Sequence, residues 1–370
     1  MAEYIYERKG WPQLTWNSKE LTDSLAAVRH RQGRLLGRME GLGFALREQS
    51  VMQMLTLDIV ETSRIEGELL DREQVRSSLA RRLGLDIGFL KPTERSTDGV
   101  VEMMLDATQN YTAPLTAERL FGWHSALFPT GYSGMTRIRV GDWRDGSSGP
   151  MQVVSGPIGR DQVHFEATPA AGLPVEMTAF LAWFNDRTIS LDPVLKAGIA
   201  HLWFVTVHPF ADGNGRIARA IGDLSLARSE GTAQRFYSLS AQICLERDAY
   251  YTILERTQKG DLDVTLWLKW FLGCLDRAFS GAEEILTVVL RKARFWDSHV
   301  DLDLNERQRQ LLNRLLDGFD GKLTSSKWAK IAKCSQDTAL RDIVDLMSRG
   351  LLFRTATGGR STSYDLADTF

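Results

Sequence analysis

The segment 208–219 restricts the fold of this chain more than any other part of the sequence. An apolar stretch with helical character, 197–207, leads into it. Pro209 cannot continue that helix regularly, because proline has no backbone N–H and its ring clashes with the preceding turn. Gly213 and Gly215 follow, and both can adopt the positive φ values that a tight curl requires. A new helix then begins, so the segment predicts a sharp helix–loop–helix corner.

The residue types in this corner suit phosphate chemistry. Free N–H groups and the dipole at a helix N-terminus favour anions. Arg216 and Arg219 are three residues apart and project from one helix face, where two guanidinium groups fit a polyphosphate. Asp212, just before the glycines, is a candidate Mg²⁺ ligand. His208, if neutral, is a candidate general base for an attacking hydroxyl.

A structural alternative exists for each of these residues taken singly. A buried histidine and surface arginines at a helix corner need no ligand, and a lone Gly-x-Gly is a weak signal. The segment is also not a Walker loop, because no GxxxxGK[ST] sequence occurs. The combination of base, metal ligand, glycine turn and spaced arginines favours displacement at phosphorus over the structural explanation.

The rest of the chain predicts a mainly α fold. Two β-like runs, 151–154 and 162–165, flank a turn-rich stretch and predict a β-hairpin within the helical region, with a connecting loop as the alternative. From residue 304 the pattern is three short helices and two strands, which is typical of a winged helix. We predict an N-terminal helical region, a central domain and a winged-helix domain, at residues 1–95, 96–290 and 300–370.

Composition narrows the class of protein. Hydrophobic residues make up 43% of the chain and charged residues 25%, which are ordinary globular values. The net charge of −2 excludes a chain-wide polyanion binder. The three cysteines are far apart and lack metal-ligand spacing. No apolar run is long enough to span a bilayer. These features predict a soluble cytoplasmic protein without a membrane partner.

The sequence His-x-Phe-x-Asp-Gly-Asn-Gly-Arg-x-x-Arg at 208–219 resembles the signature of Fic-domain proteins and matches each of its fixed positions. The resemblance implies a helical core with a β-hairpin flap. It also implies transfer of AMP from ATP to a Ser, Thr or Tyr hydroxyl of a target protein, including the protein itself, and a homodimer. Related kinase-like toxins have Lys at the position of Gly215, so glycine favours AMP transfer over phosphorylation.

The resemblance assigns a role to each fixed residue of the segment. The roles it implies are His208 as general base, Phe210 as core anchor, Asp212 as Mg²⁺ ligand, Gly213, Asn214 and Gly215 as the cradle for the α- and β-phosphates, Arg216 on the β-phosphate and Arg219 on the γ-phosphate.

The predicted hairpin corresponds in place and type to the flap of this family. Its expected docking residues for the target backbone are Val153, Val154, Gly156 and Val163. Tyr251, which follows another tyrosine, resembles an adenine-pocket residue, with ordinary core packing as the alternative. Relatives often have Asn where Gln258 stands, so the adenine contacts stay open.

A second short pattern, Thr62 to Gly67, resembles the inhibitory motif [ST]-x-x-x-E-[GN] of the family. Glu66 near a helix C-terminus is expected to form a bidentate pair with Arg219 and to withdraw it from the γ-phosphate. The implied protein is therefore an autoinhibited adenylyltransferase. Some relatives with such a glutamate also remove AMP, and the sequence leaves that activity open.

The C-terminal unit supports a different function, a DNA-binding regulator with a vestigial or regulatory Fic core. The predicted recognition helix, 337–347, carries Arg341 but also three aspartates. Residues 301–370 contain eleven Lys or Arg and ten Asp or Glu, which is a weak footprint for phosphate binding. Protein docking or dimerisation is an equally reasonable role for this unit.

Overall fold

The computed structural model describes residues 4–85, 90–147, 149–155, 162–316, 319, 321–355 and 362–367. The chain is mainly helical, which confirms the predicted class. The helices are α1 Ser18–Glu40, α2 Phe44–Ile65, α3 Arg72–Leu83, α4 Arg95–Gln109, α5 Ala117–Leu127, α6 Leu173–Asn185, α7 Pro193–Val207, α8 Asn214–Glu230, α9 Leu239–Leu245, α10 Arg247–Gln258, α11 Thr265–Ser298, α12 Glu306–Leu316, α13 Ser325–Ala332 and α14 Gln336–Ser348. The strands are β1 Tyr132–Ser133, β2 Thr136–Arg137, β3 Gln152–Ser155, β4 Gln162–Glu166, β5 Leu352–Arg354 and β6 Tyr364–Leu366.

Two compact units make up the chain, Met1–Ala282 and Glu283–Phe370. The N-terminal helices α1, α2 and α3 belong to the first unit together with the helices that follow them. The division falls within α11. Among the helices of the described ranges, none has the length and apolar character needed to cross a bilayer.

Helices α7 and α8 form the centre of the first unit. Every residue of α7 from Ala197 to Val207 is buried, as expected for a helix that is apolar on all sides. Helix α8 packs against α7 and α4, and α2 packs against α3, α8 and α9. The end of α2 is thereby brought to the beginning of α8.

Local sequence signals set several helix ends. The Thr116 hydroxyl accepts a hydrogen bond from the Arg119 backbone N–H at 3.2 Å and caps α5, as its position before the apolar run predicts. The Ser335 hydroxyl accepts in the same way from the Thr338 N–H, also at 3.2 Å, at the start of α14. Each cap satisfies a backbone donor that the first helical turn leaves free.

The predicted hairpin is present. Strands β3 and β4 pair antiparallel, with Val153 opposite Phe165 and Val154 opposite Val163, and the register shifts between the two valines. Phe165 is buried, and its ring contacts that of Tyr4 edge to face at a centroid distance of 5.1 Å. We call β3 and β4 the flap. Gly156, predicted as a docking residue at its turn, lies outside the described residues.

The second unit has the element order from which a winged helix was predicted: α12, α13 and α14, then the antiparallel pair β5 and β6. Its core includes the fully buried Trp328, Leu311 and Ile343. Arg360, which the sequence places between the two predicted strands, lies outside the described residues. The winged helix stays a prediction for this unit.

Candidate active site

The loop between α7 and α8 turns on two residues with positive φ. His208, the C-terminal cap of α7, has φ 52°, and Gly213, just before α8, has φ 79°. A Cβ on Gly213 would lie 2.9 Å from the Phe128 ring, so both the backbone angle and the space require glycine. The corner predicted from the sequence is therefore present.

Gly215 is glycine for a different reason from the one expected. It lies in the first turn of α8 and is not among the described glycines with positive φ, so the prediction of a positive φ was wrong at this position. Instead, a Cβ there would lie 2.2 Å from Glu66 Oε1. The bare backbone of Gly215 leaves room for the Glu66 carboxylate directly over the start of α8.

Asn214 uses its side chain to close the loop. Its Oδ1 accepts from the Phe210 N–H at 2.9 Å, and its Nδ2 donates to the Phe210 carbonyl at 2.8 Å. Phe210 is fully buried, with its ring stacked on His124 at 4.2 Å and beside Trp143 at 5.1 Å. The side chain of Asn214 thus faces the backbone of its own loop, and any contribution of this residue to a phosphate cradle rests on its backbone N–H.

Arg219 is held by the segment 62–67. Nη2 donates to Glu66 Oε1 at 2.6 Å and to the Thr62 carbonyl at 2.9 Å, and Nε donates to the Thr62 hydroxyl at 2.7 Å. The expected bidentate pair between Glu66 and Arg219 is not formed: Glu66 accepts only from Nη2, which it shares with the Thr62 carbonyl, and the Thr62 hydroxyl accepts from Nε. Gly67, with φ 83°, reverses the chain directly after Glu66.

Arg216 is held by a carboxylate that the sequence analysis missed. Its Nη1 donates to Glu68 Oε2 at 2.6 Å, and its guanidinium group lies 5.2 Å from the Phe128 ring centroid. The Arg216 side chain is 3% exposed and that of Glu68 is 47% exposed. Two acidic residues separated by one glycine therefore contact the two arginines of α8.

Two buried donors on these arginines are unused within the described part of the chain. Arg216 Nε and Arg219 Nη1 have no hydrogen-bond partner there. An unsatisfied buried donor costs about 1–3 kcal/mol, and more when charged. Both groups lie at the N-terminal turns of α8, where an anion is favoured by the helix as well. The arrangement suits a polyanionic ligand.

His208 is arranged as a neutral base. Its Nδ1 lies 3.2 Å from the Val205 carbonyl oxygen, which can only accept, so Nδ1 carries the proton and Nε2 has the free lone pair. Burial lowers the pKa of His208 to about 4, and the Arg144 charge acts in the same direction. Glu66 and Asp212 oppose this shift. The imidazole is therefore uncharged at neutral pH.

Asp212 places one carboxylate just before α8, the helix that carries Arg216 and Arg219. Its Oδ1 accepts from the Gly213 N–H at 2.5 Å, and its Oδ2 accepts from the Ser133 hydroxyl. No group of three or more His, Cys, Asp or Glu residues that could hold a metal occurs among the described residues. Mg²⁺ in nucleotide enzymes is commonly held by one or two carboxylates and the phosphates. Asp212 fits a Mg²⁺ ion that binds together with a nucleotide.

A cavity of about 490 Å³ opens beside these residues. It is lined by Glu66, His208 and Gly215, by Tyr250 and Tyr251 of α10, and by Val153, Val154 and Phe165 of the flap. The two tyrosines differ, because Tyr250 is buried with its hydroxyl 2.8 Å from His201 Nε2, whereas the Tyr251 ring lies beneath the Arg247 guanidinium group at 5.2 Å. Of the two, Tyr251 is the partly exposed one, and Arg247 lies over its ring.

The flap is fixed to the rest of the unit at β4. His164 Nδ1 lies 2.8 Å from Glu255 Oε2 on α10. Val154 is 50% exposed and Val163 is 41% exposed, so both offer apolar surface. Val153 and Val154 border the cavity, whereas Val163 is not among its lining residues. A peptide added along the flap would lie next to the mouth of the cavity that contains His208.

Comparison with known proteins identifies two domain families that parts of this chain match. Residues 114–226 match the model of the Fic/DOC family, and residues 4–85 match a model described as a domain of unknown function, DUF4172. The chain contains a Fic/DOC domain. Its matched range runs from just before α5 to within α8 and includes the whole of the segment 208–219.

Relatives of the Fic/DOC domain are named as protein adenylyltransferases. Protein adenylyltransferase fic-1 of Caenorhabditis briggsae is 40% identical over 88 residues, which cover 23% of this chain and 17% of that protein. Protein adenylyltransferase fic-1 of Caenorhabditis elegans is 28% identical over 174 residues, or 47% of this chain and 32% of that protein. The matches thus span less than a third of each relative.

A solved structure has the same fold. A Fic family protein from Desulfovibrio desulfuricans G20 superimposes with a TM-score of 0.53 at 20% identity, covering 97% of this chain and 99% of that one.

Sequence reasoning missed Glu68, Arg144 and Arg247 at the Fic/DOC site. Arg247 Nε donates to the Ile65 carbonyl at 2.9 Å and fixes the end of α2. Arg144 donates to backbone carbonyls around His208. These residues are distant in sequence from their partners or lie outside regular helix spacing, so no local pattern marks them. Only the position of Glu68, two residues after Glu66, was a usable signal.

Proposed function

We propose that this protein transfers AMP from ATP to a Ser, Thr or Tyr hydroxyl of a target protein, and to itself. The observation that carries the proposal is a neutral His208 beside two buried arginines with unused donors at the start of α8. The Fic/DOC match and the names of the adenylyltransferase relatives support it.

In this proposal His208 Nε2 accepts the proton of the target hydroxyl. The hydroxyl oxygen forms a bond to the α-phosphorus of ATP, and the bond from that phosphorus to the bridging oxygen breaks, so that pyrophosphate leaves. Arg216 and Arg219 hold the β- and γ-phosphates, and the N–H groups at Gly213–Gly215 hold the α- and β-phosphates. A Mg²⁺ ion held by Asp212 would neutralise phosphate charge. The flap would align the target backbone as an added strand.

The test is incubation of the purified protein with labelled ATP, alone and with cell lysate. A covalent mass gain of one AMP on protein supports transfer. Incorporation of label from the γ-phosphate position in place of the AMP moiety would replace the proposal with phosphorylation.

We further propose that the segment 62–67 keeps the protein at low activity. The Glu66 carboxylate lies over Gly215, where the phosphates would be cradled, and it occupies Arg219 at 2.6 Å. A carboxylate and a phosphate oxygen cannot share that space, and their like charges repel. Removal of AMP from modified targets is a further expectation for a Glu66-containing site, and it is open to the same labelling assay run in reverse.

Glu68 is expected to add to this inhibition through Arg216. In a Glu66→Gly background, Glu68→Ala should tighten ATP binding by about two- to fivefold, because a half-exposed ion pair contributes at most about 1 kcal/mol. Isothermal titration with ATP measures the change. Glu73→Ala on α3 is the matched control, since that exposed acid pairs with Arg76. Unchanged or weaker binding in the Glu68 variant would contradict the proposal.

The alternative function, DNA binding, receives limited support from the second unit. Two of the aspartates on α14 face other residues of that unit: Asp342 accepts from Arg307 at 2.8 Å and Asp345 from Arg349 at 2.9 Å. The exposed face of α14 presents Leu340 and Val344. Apolar side chains on that face favour protein docking or dimerisation over phosphate contacts.

We therefore expect that the protein shows no salt-sensitive affinity for duplex DNA. Electrophoretic mobility shifts between about 50 and 200 mM salt measure this, since several phosphate contacts would change affinity by orders of magnitude over that range. A steep salt dependence that Arg341→Ala reduces would instead establish the regulator function.

A further inference from the structure

We propose that Arg144 is a positioning residue that joins His208 to the base of the flap, so that the base and the aligned target hydroxyl meet in a fixed geometry. This rests on the proposed AMP transfer. It goes beyond the motif, since Arg144 lies far from the segment 208–219 in sequence and does not line the cavity.

The side chain of Arg144 donates hydrogen bonds to backbone carbonyls at the end of α7 and just after β4. Its Nε donates to the His208 carbonyl at 2.7 Å, and its Nη2 donates to the Thr168 carbonyl and to the Val207 carbonyl, the latter at 3.4 Å. The Arg144 backbone N–H also donates to the Pro209 carbonyl at 2.9 Å. The residue is 7% exposed, so these bonds are shielded from water.

The backbone of His208 needs stabilisation by neighbouring groups. A non-glycine residue with a left-handed backbone costs about 1–2 kcal/mol, and His208 has φ 52°. The last carbonyls of α7 have no partner within the helix, and a cation at a helix C-terminus stabilises them. Arg144 supplies donors and charge at that point, while the adjacent Trp143 packs on Phe210 on the other side of the loop.

The hydrogen bond from Arg144 to the Thr168 carbonyl connects this side chain to the flap. Thr168 follows β4 by two residues, so the same guanidinium group ties the end of the flap to the backbone of His208. A target strand added to the flap would have its hydroxyl placed relative to the imidazole through this side chain, in addition to the contact of His164 with Glu255 that fixes β4. Errors of about 1 Å in such a geometry cost about a hundredfold in rate.

Arg144 also sets the charge around the imidazole. The charged groups that act on His208 are Arg144 on one side, and Glu66 and Asp212 on the other. In a protein that carries Glu66→Gly, loss of the Arg144 charge leaves the Asp212 carboxylate, which favours the protonated ring. The pKa of His208 is therefore expected to rise in a neutral variant. A defect that lets water reach the ring would also raise this pKa, because burial is the main cause of its lowering, so the Arg144→Lys variant, which keeps the charge, separates the two causes.

The test compares Arg144→Met and Arg144→Lys in the full chain carrying Glu66→Gly. We expect Arg144→Met to lower kcat for AMP transfer by about tenfold or more and to change the Kd for ATP by less than about twofold. In the pH profile of kcat, the decline on the acidic side should move to a higher pH. Arg144→Lys keeps the positive charge but loses the two-pronged guanidinium group. It should leave the acidic decline of the pH profile unchanged and give an intermediate kcat. If the Met variant does not fold, the Lys variant decides through the split between kcat and Kd.

The histidine ring signals in NMR, with His208→Ala for assignment, provide a reading that does not depend on activity. An unchanged His208 titration in the Arg144→Met variant, or equal losses in kcat and ATP affinity, would overturn the proposal. If the Glu66→Gly parent transfers no AMP, the proposed function fails, and the ring titration still tests the link between Arg144 and His208.

Discussion

A Glu66→Gly protein is expected to label itself with AMP at least about tenfold faster than the wild type. Glu66 makes a charge-assisted hydrogen bond to Arg219 at 2.6 Å, and its carboxylate fills the space over Gly215. A hydrogen bond to a charged group is worth about 1.5–3 kcal/mol, and each 1.4 kcal/mol is a factor of about ten in binding. Initial rates with labelled ATP measure the effect.

Glu66→Gln separates the two causes of inhibition. It keeps the volume over Gly215 and an amide oxygen for Arg219, and it removes only the charge. If steric exclusion dominates, Glu66→Gln stays close to the wild type; if charge dominates, it approaches Glu66→Gly. Equal labelling by the wild type and Glu66→Gly, above a His208→Ala blank, would refute inhibition by this segment.

His208→Ala, made in the Glu66→Gly background, should reduce AMP transfer by about a hundredfold or more. A positioned general base contributes about 10²–10⁴ in rate. ATP binding should persist, because the arginines and glycines that are proposed to hold the phosphates lie on α8 and the turn before it. Calorimetric ATP binding alongside the labelling rate distinguishes loss of the base from loss of the fold.

The pH dependence follows from the same residue. The base works in its neutral form, and burial lowers the pKa of His208 from 6.5 to about 4. Activity should therefore persist as the pH falls through 6.5 and should decline only near the lowered value. A decline centred at 6 or above would show that the ring is solvated during turnover. Retention of full activity by His208→Ala would assign the base to another group.

The local part of this site could be predicted because it is encoded by neighbouring residues. Pro209 ends α7, Gly213 adopts φ 79°, and the arginines share a face of α8 through their spacing. The hairpin and most helix ends were predictable for the same reason, since caps and turns depend on residues one to four positions apart. The resemblance to Fic-domain proteins extended these local signals to a chemistry.

Contacts between distant segments could not be predicted in detail. A bidentate pair between Glu66 and Arg219 was predicted, yet the Thr62 carbonyl and hydroxyl accept from two nitrogens of that guanidinium group. A positive φ was predicted at Gly215, where the actual constraint is the Glu66 carboxylate 2.2 Å from the Cβ position. Both errors arise because the approach of α2 to α8 depends on packing.

The sequence by itself determined the mainly helical class, the corner at 208–219 and the residues with phosphate chemistry, because helix period, proline and glycine act over a few positions. The tertiary structure alone decided that Glu68 accepts from Arg216 and that Arg144 donates to the His208 carbonyl. Those partners are separated by 148 and 64 positions. The packing of distant segments against one another brings them into hydrogen-bonding distance, and no sequence period records it.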